Sequence, residues 1–60
     1  MWDDAMIWIA IKKALALAST PSAIVEVSND LPELLIVLRN AGGTVTSRWT
    51  AYTDGRVEAA

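Results

Sequence analysis

Apolar residues fall into two kinds of run along this chain, and each kind predicts a different element. Over residues 3–18 they recur with helical spacing. At about 100° per residue, Ile7, Ala10, Ile11, Ala14, Leu15 and Ala18 share one face, flanked by Trp8, while Lys12 and Lys13 lie on the other side with Ala5 and Ala16. Asp3 or Asp4 caps such a helix and places negative charge at the positive end of its dipole. The unbroken apolar stretch Met6–Ile11 also reads as a buried strand. A strand there runs into Lys12 with no turn residue, so the helix is the expected form.

Thr20-Pro21-Ser22 stops that helix, because Pro21 restricts Thr20 and lacks the amide hydrogen a continuing helix needs. Residues 23–28 then alternate as a strand, with Ala23, Val25 and Val27 on the inner face and Ile24, Glu26 and Ser28 on the outer. Next comes Asp30-Leu31-Pro32-Glu33, a capping-box pattern with proline in the first turn. Leu31, Leu34, Leu35, Leu38 and Ala41 form a stripe behind it, and Gly42 supplies a left-handed stop. This spacing predicts a second helix over 31–40.

Residues 44–52 and 56–59 read as a hairpin about Thr53-Asp54-Gly55. A two-residue turn would set Val57 opposite Tyr52, on a polar face. A three-residue loop with Gly55 as a left-handed bulge residue sets Val57 opposite Ala51. The second register gathers Val45, Ser47, Trp49, Ala51 and Val57 on one face, and leaves Thr44, Thr46, Arg48, Thr50, Tyr52, Arg56 and Glu58 on the other. It is preferred because it separates apolar from polar.

The expected architecture is α+β, a single compact domain over 1–60 in the order α-β-α-β-β. Two helices pack on one face of a three-stranded mixed sheet, a two-layer sandwich. The strand–helix–strand unit makes a right-handed crossover, so strands 23–28 and 44–52 run parallel. The other sheet face is left open.

Composition narrows what such a domain can do. Sixty residues carry no cysteine and no histidine. Disulfides are therefore excluded, and a structural zinc site loses its usual ligands. Seven carboxylates against five lysines and arginines give a net charge of −2, the wrong sign for a dedicated nucleic-acid binder. Ala16-Leu17-Ala18 imitates a signal-peptide cleavage site, but Asp3, Asp4, Lys12 and Lys13 put the wrong charges around it. The longest wholly apolar run, Ala5–Ile11, is far shorter than the roughly 20 residues that span a bilayer. The expectation is a soluble chain with neither a signal peptide nor a membrane span.

Candidate chemistry is sparse. Without histidine or cysteine, nucleophilic triads and dyads built on them are excluded. Asp3-Asp4 reads as a cap, since adjacent helical residues point about 100° apart. Glu26 and Glu58 read as solvated carboxylates of the open face. A Ser–Lys pair needs Ser19 or Ser22 beside Lys12 or Lys13, which point away from the helix face ending at Ala18. Gly42-Gly43 opens a strand, so no phosphate-cradling helix start follows it. Arg48, Thr50, Tyr52 and Arg56 cluster on the open face and could stack single-stranded bases. Cross-strand pairing, Tyr52 over Arg56 and Glu58 near Arg48, is the preferred account, since the face holds one aromatic and Glu26 and Glu58 dilute its charge.

No catalytic, cofactor-binding or metal-binding residue is expected, and the chain reads as a non-enzyme. Phe, Gln, His and Cys are all absent, while Trp occurs three times, a restricted alphabet that suits a synthetic chain. The leading expectation is a folded scaffold without a selected activity, of de novo designed or synthetic origin, needing no partner. The alternative is a small protein–protein interaction module. It would be a homodimer through Trp2, Ile9 and Ile36, which project from the polar sides of their helices, or it would pair through the short C-terminal strand edge. A weaker alternative is single-stranded nucleic-acid binding through Arg48, Tyr52 and Arg56. A membrane-surface role for Trp2, Trp8, Lys12 and Lys13 is disfavoured by the two acids at the helix start.

Overall fold

In the computed structural model, which describes residues 2–30 and 32–60, the first apolar run is helical. Helix α1 spans Asp4–Leu17. Asp3 is its cap, its carboxylate accepting the Met6 amide at 2.9 Å, and Met6–Ile11 lies within the helix. Ala18, extended at ψ 135°, ends it three residues before Pro21.

The rest of the chain is a four-stranded antiparallel meander. Its strands are β1 (Ile24–Ser28), β2 (Leu34–Arg39), β3 (Val45–Ala51) and β4 (Val57–Ala59), in spatial order β1-β2-β3-β4. The expected fold of two helices on a three-stranded mixed sheet is therefore wrong. Residues 34–39 are a strand where that helix was expected, β1 and β3 lie on either side of it with both pairings antiparallel, and no crossover occurs among the described residues. Leu31, where that helix was expected to start, lies outside the described residues.

The error has a physical cause. Leu34-Leu35-Ile36-Val37-Leu38 is a continuous apolar run, and periodicity alone does not separate a buried strand from a buried helix. As a central strand, β2 pairs with β1 on one side and β3 on the other, and both of its faces find use. Leu34, Ile36 and Leu38 are fully buried, while Leu35, Val37 and Arg39 are half-buried on the opposite face. A helix over the same residues would leave Ile36 outside. The strand brings it to 0% exposure, so the expected projection of Ile36 from a polar surface is also overturned.

Both hairpins use one loop design. Gly55 donates to the Tyr52 carbonyl at 3.0 Å and Tyr52 to that of Arg56 at 2.8 Å. Likewise, Gly43 donates to the Asn40 carbonyl at 3.0 Å and Asn40 to that of Thr44 at 3.0 Å. Each is a three-residue loop ending in a left-handed glycine, with φ of 99° at Gly55 and 88° at Gly43. The expected register of the second hairpin is present, with Ala51 opposite Val57. In the first, the expected helix stop at Gly42 is instead part of the turn, whose Asn40 carboxamide oxygen accepts from the Gly42 and Thr44 amides.

Helix α1 lies on the face built by Leu34, Ile36, Leu38 and Ala51, to which it contributes Ala10 and Ala14. It packs on β2 and β4. Residues directly opposite across an antiparallel ladder share a face. Trp49, Ser47 and Val57 therefore join the helix side, where Trp49 Nε1 donates to Ser47 Oγ at 2.9 Å. Val45 does not join them. The ladder shifts between Leu38 and Arg39, Thr46 becomes the extra residue, and Val45 lies opposite Arg39. Two long-range hydrogen bonds fix the helix. Trp2 Nε1 donates to the Pro32 carbonyl at 2.9 Å, and Lys13 Nζ to that of Gly55 at 2.7 Å.

Two outcomes separate the strand from the helix at residues 34–39. Ile36→Ala should cost about 2–5 kcal/mol of unfolding free energy by chemical denaturation, the usual loss for a buried isoleucine. Asp30→Ala should change it by less than about 0.5 kcal/mol, because Asp30 is exposed and caps nothing. Among the described residues, its carboxylate accepts the Ser28 hydroxyl, at 3.4 Å. A second contrast tests the first hairpin. Gly43→Ala should destabilise by about 1–2 kcal/mol, since an alanine there must adopt a left-handed backbone. Gly42→Ala, free of that constraint, should cost less in the same assay.

Candidate functional site

Two surfaces present themselves, the open sheet face and the outer side of α1 with its neighbouring sheet edge. The open face is built by β1 to β4 alternation. It carries Ile24, Glu26, Leu35, Val37, Arg39, Arg48, Thr50 and Glu58, with Tyr52 and Arg56 at the loop. Glu26 and Glu58 sit on opposite edge strands. Three strand spacings of about 4.8 Å separate them, too far for two carboxylates to share one substrate atom.

Charges on this face are paired within the chain. Arg39 donates through Nε to Glu26 and through Nη1 to the Gly43 carbonyl at 2.9 Å. It thereby ties the edge strand to the first hairpin loop. Nothing in the helical reading of 31–40 marked this residue; strand alternation would have put it on the face of Glu26. Arg56 lies over the Tyr52 ring at 4.4 Å, the pairing expected from sequence. It also donates to Asp54 at 2.8 Å and to Glu58 at 3.2 Å, so Glu58 engages Arg56 and not the expected Arg48. The surface left for a nucleic-acid backbone is close to neutral and holds one aromatic ring.

The remaining candidates separate as well. Asp3 is the helix cap and Asp4 lies in the first turn. Lys13 is committed to Gly55. Ser22 Oγ is buried without a hydrogen-bond partner, so no Ser–Lys pair forms there. No group of three or more acidic side chains able to hold a metal ion occurs among the described residues. Among them, too, no helix is long and apolar enough to cross a membrane. A cleft of about 220 Å³ lies between Trp2, Met6, Ile9 and Ala10 of the N-terminal segment and the second hairpin. It is below the roughly 300–1,000 Å³ of most small-molecule sites, and Lys13 closes it against Gly55.

The second surface is apolar. Among the described residues, the seven exposed large hydrophobic side chains lie on α1 or β1, namely Trp8, Ile9, Leu15 and Leu17, and Ile24, Val25 and Val27. Trp8 and Leu15 were expected at or beside the buried helix face. They are 63% and 42% exposed, because the residues that meet the sheet are Ala10 and Ala14, with Ile7, Ile11 and Ala18 beside them. Trp2, expected outside, packs partly against the core, whereas Ile9 is exposed as expected. Val25 and Val27 point to the helix side through their partners Leu38 and Ile36. They stay 38% exposed because β1 is the edge strand furthest from β4. No family model, no curated protein and no solved structure matches the chain.

Acid should loosen the second hairpin. The Asp54 carboxylate accepts the Arg56 amide at 3.0 Å as well as its guanidinium, and these hydrogen bonds hold its pKa below the ordinary 3.8. A depressed carboxyl pKa stabilises the fold above the unfolded-state value and stops doing so as pH falls through the folded value. Wild type should therefore exceed Asp54→Asn in denaturation midpoint at pH 7. The gap should close as the pH drops below 3.8.

Proposed function

We propose that the chain is a protein–protein interaction module whose working surface is the outer side of α1 together with β1. One observation carries the reading. Among the described residues, every large hydrophobic side chain that is exposed belongs to those two elements, and none belongs to β2, β3 or β4. Apolar exposure concentrated on two elements supports an association surface on a small domain. The unpaired outer edge of β1 adds a row of backbone donors and acceptors. Catalysis has no comparable support, since the carboxylates and the amines of the described residues are dispersed or committed to structural pairs.

A second reading, a scaffold of de novo designed or synthetic origin with no selected activity, is favoured by the repeated three-residue hairpin loop. Such economy of turn chemistry is typical of idealised backbones.

A photo-crosslinking side chain separates the surfaces. Placed at position 8 in cells producing the chain, it should give a discrete protein adduct. Placed at position 48, exposed on the open face, it should give none. Equal adducts from both positions, or none from position 8, would overturn the interaction reading.

A further inference from the structure

The cleft between α1 and the second hairpin joins apolar walls to a charge without a counter-ion. Its most deeply buried lining residues are Ala10 and Ala51, 5% and 1% exposed, so two alanines make its floor. Their small side chains leave about 220 Å³ between helix and hairpin. Trp2, Met6 and Ile9 line one side and Val57 the other. An apolar cavity of about 150 Å³ is enough to hold benzene. The cleft is therefore too small for a nucleotide-sized cofactor and large enough for one aromatic ring.

Bonds within the chain hold the walls in place. Trp2 is fixed by its Nε1 bond to the Pro32 carbonyl at 2.9 Å. On the hairpin side, Arg56 lies over the Tyr52 ring and binds Asp54. A site already shaped costs a small ligand little in ordering. The charged groups that line it are Lys13, Arg56 and Asp54. Arg56 and Asp54 neutralise each other at 2.8 Å. Lys13 donates to the neutral Gly55 carbonyl at 2.7 Å, and no ion pair among the described residues engages it. An ammonium has three donors, so two remain at the rim for the oxygen of a ligand.

We propose that the cleft binds a small aromatic carboxylate, its ring on the Ala10–Ala51 floor and its carboxylate on Lys13 Nζ. The ring displaces water from apolar surface, and the anion meets the uncompensated ammonium. A neutral ring gains only the first of these, and a cationic one is repelled. The site does not depend on the interaction reading, although Ile9 borders both surfaces.

An amide-correlated NMR titration of the full chain with benzoate tests the assignment. The amides of Ala10, Lys13, Ala51 and Gly55 should shift along one saturable curve, with a Kd on the order of 1 mM for a ligand of this size. Nuclear Overhauser contacts should join the ring to the methyl groups of Ala10 and Ala51. Benzyl alcohol, the same ring without the charge, should bind about fivefold more weakly or worse. Lys13→Met should lower benzoate affinity to that of benzyl alcohol, whereas Lys12→Met, outside the cleft, should change neither. If Lys13→Met fails to fold, the ratio of the two ligands on wild type decides together with the Overhauser contacts. Shifts that stay linear with benzoate concentration overturn the proposal, as do ring contacts to Trp8 or Leu15 in place of the floor. Equal affinity for benzoate and benzyl alcohol, or benzoate binding untouched by Lys13→Met, overturns it too.

Discussion

Pairing of one strand along both of its edges, with one face fully buried and the other half-buried, is the constraint from which the rest of the molecule follows. β2 supplies Leu34, Ile36 and Leu38, the three largest side chains that are fully buried. It is also the ladder partner of both β1 and β3. A strand so placed must be apolar throughout, which is why Leu35 and Val37 accompany the buried three. Its central position fixes the meander, and the meander puts β1 and β4 at the edges. Arg39, the last residue of β2, then holds Glu26 of the edge strand and the Gly43 carbonyl of the first hairpin together.

That constraint is what made the chain hard to read. The helix α1 was legible because its cap, its 3.6-residue period and its proline stop agree. The second hairpin was legible down to its register, because Thr53-Asp54-Gly55 and the alternation around it point to one loop. In residues 30–42, however, two sets of local signals compete. Asp30, Pro32, Glu33 and Gly42 occur at the spacings of a helix start and stop, yet Pro32 serves equally well in a loop before a strand, and Gly42 in a turn. The misfit was visible at Ile36, which a helix leaves outside against its chemistry. Asn40-Ala41-Gly42-Gly43 also shares its closing left-handed glycine with Thr53-Asp54-Gly55. Reading the first loop by analogy with the second would have recovered β2, and with it the antiparallel sheet.

The surface chemistry was legible in part for the same reason. Tyr52 and Arg56 meet as their register requires, whereas Glu58 turns to Arg56 because Asp54 and the loop hold the guanidinium nearby. Arg48 is left exposed. The positions of Trp8 and Leu15 could not be read from a helical wheel alone. A wheel gives the apolar arc but not the point at which the sheet touches it, and that point depends on β2 being a strand.

The sheet touches α1 most closely at Ala10 and Ala14, with Ile7 and Ile11 partly buried beside them, so part of the apolar bulk of the helix stays outside. Small residues at the contact let helix and sheet approach closely, and the volume that would fill a core lies outside, in Trp8, Ile9, Leu15 and Leu17. Their burial is worth about 25 cal/mol for each Å² removed from water, so they contribute only when something covers them. A chain of sixty residues buries just about 60% of its unfolded surface, and among the described residues the large apolar side chains left exposed are on one helix and one edge strand. Stability and association are therefore expected to draw on the same side chains. On that view the alanines of α1 are what makes the large residues available: a bulkier contact would lift the helix off β2 and spend the apolar arc on the chain's own core.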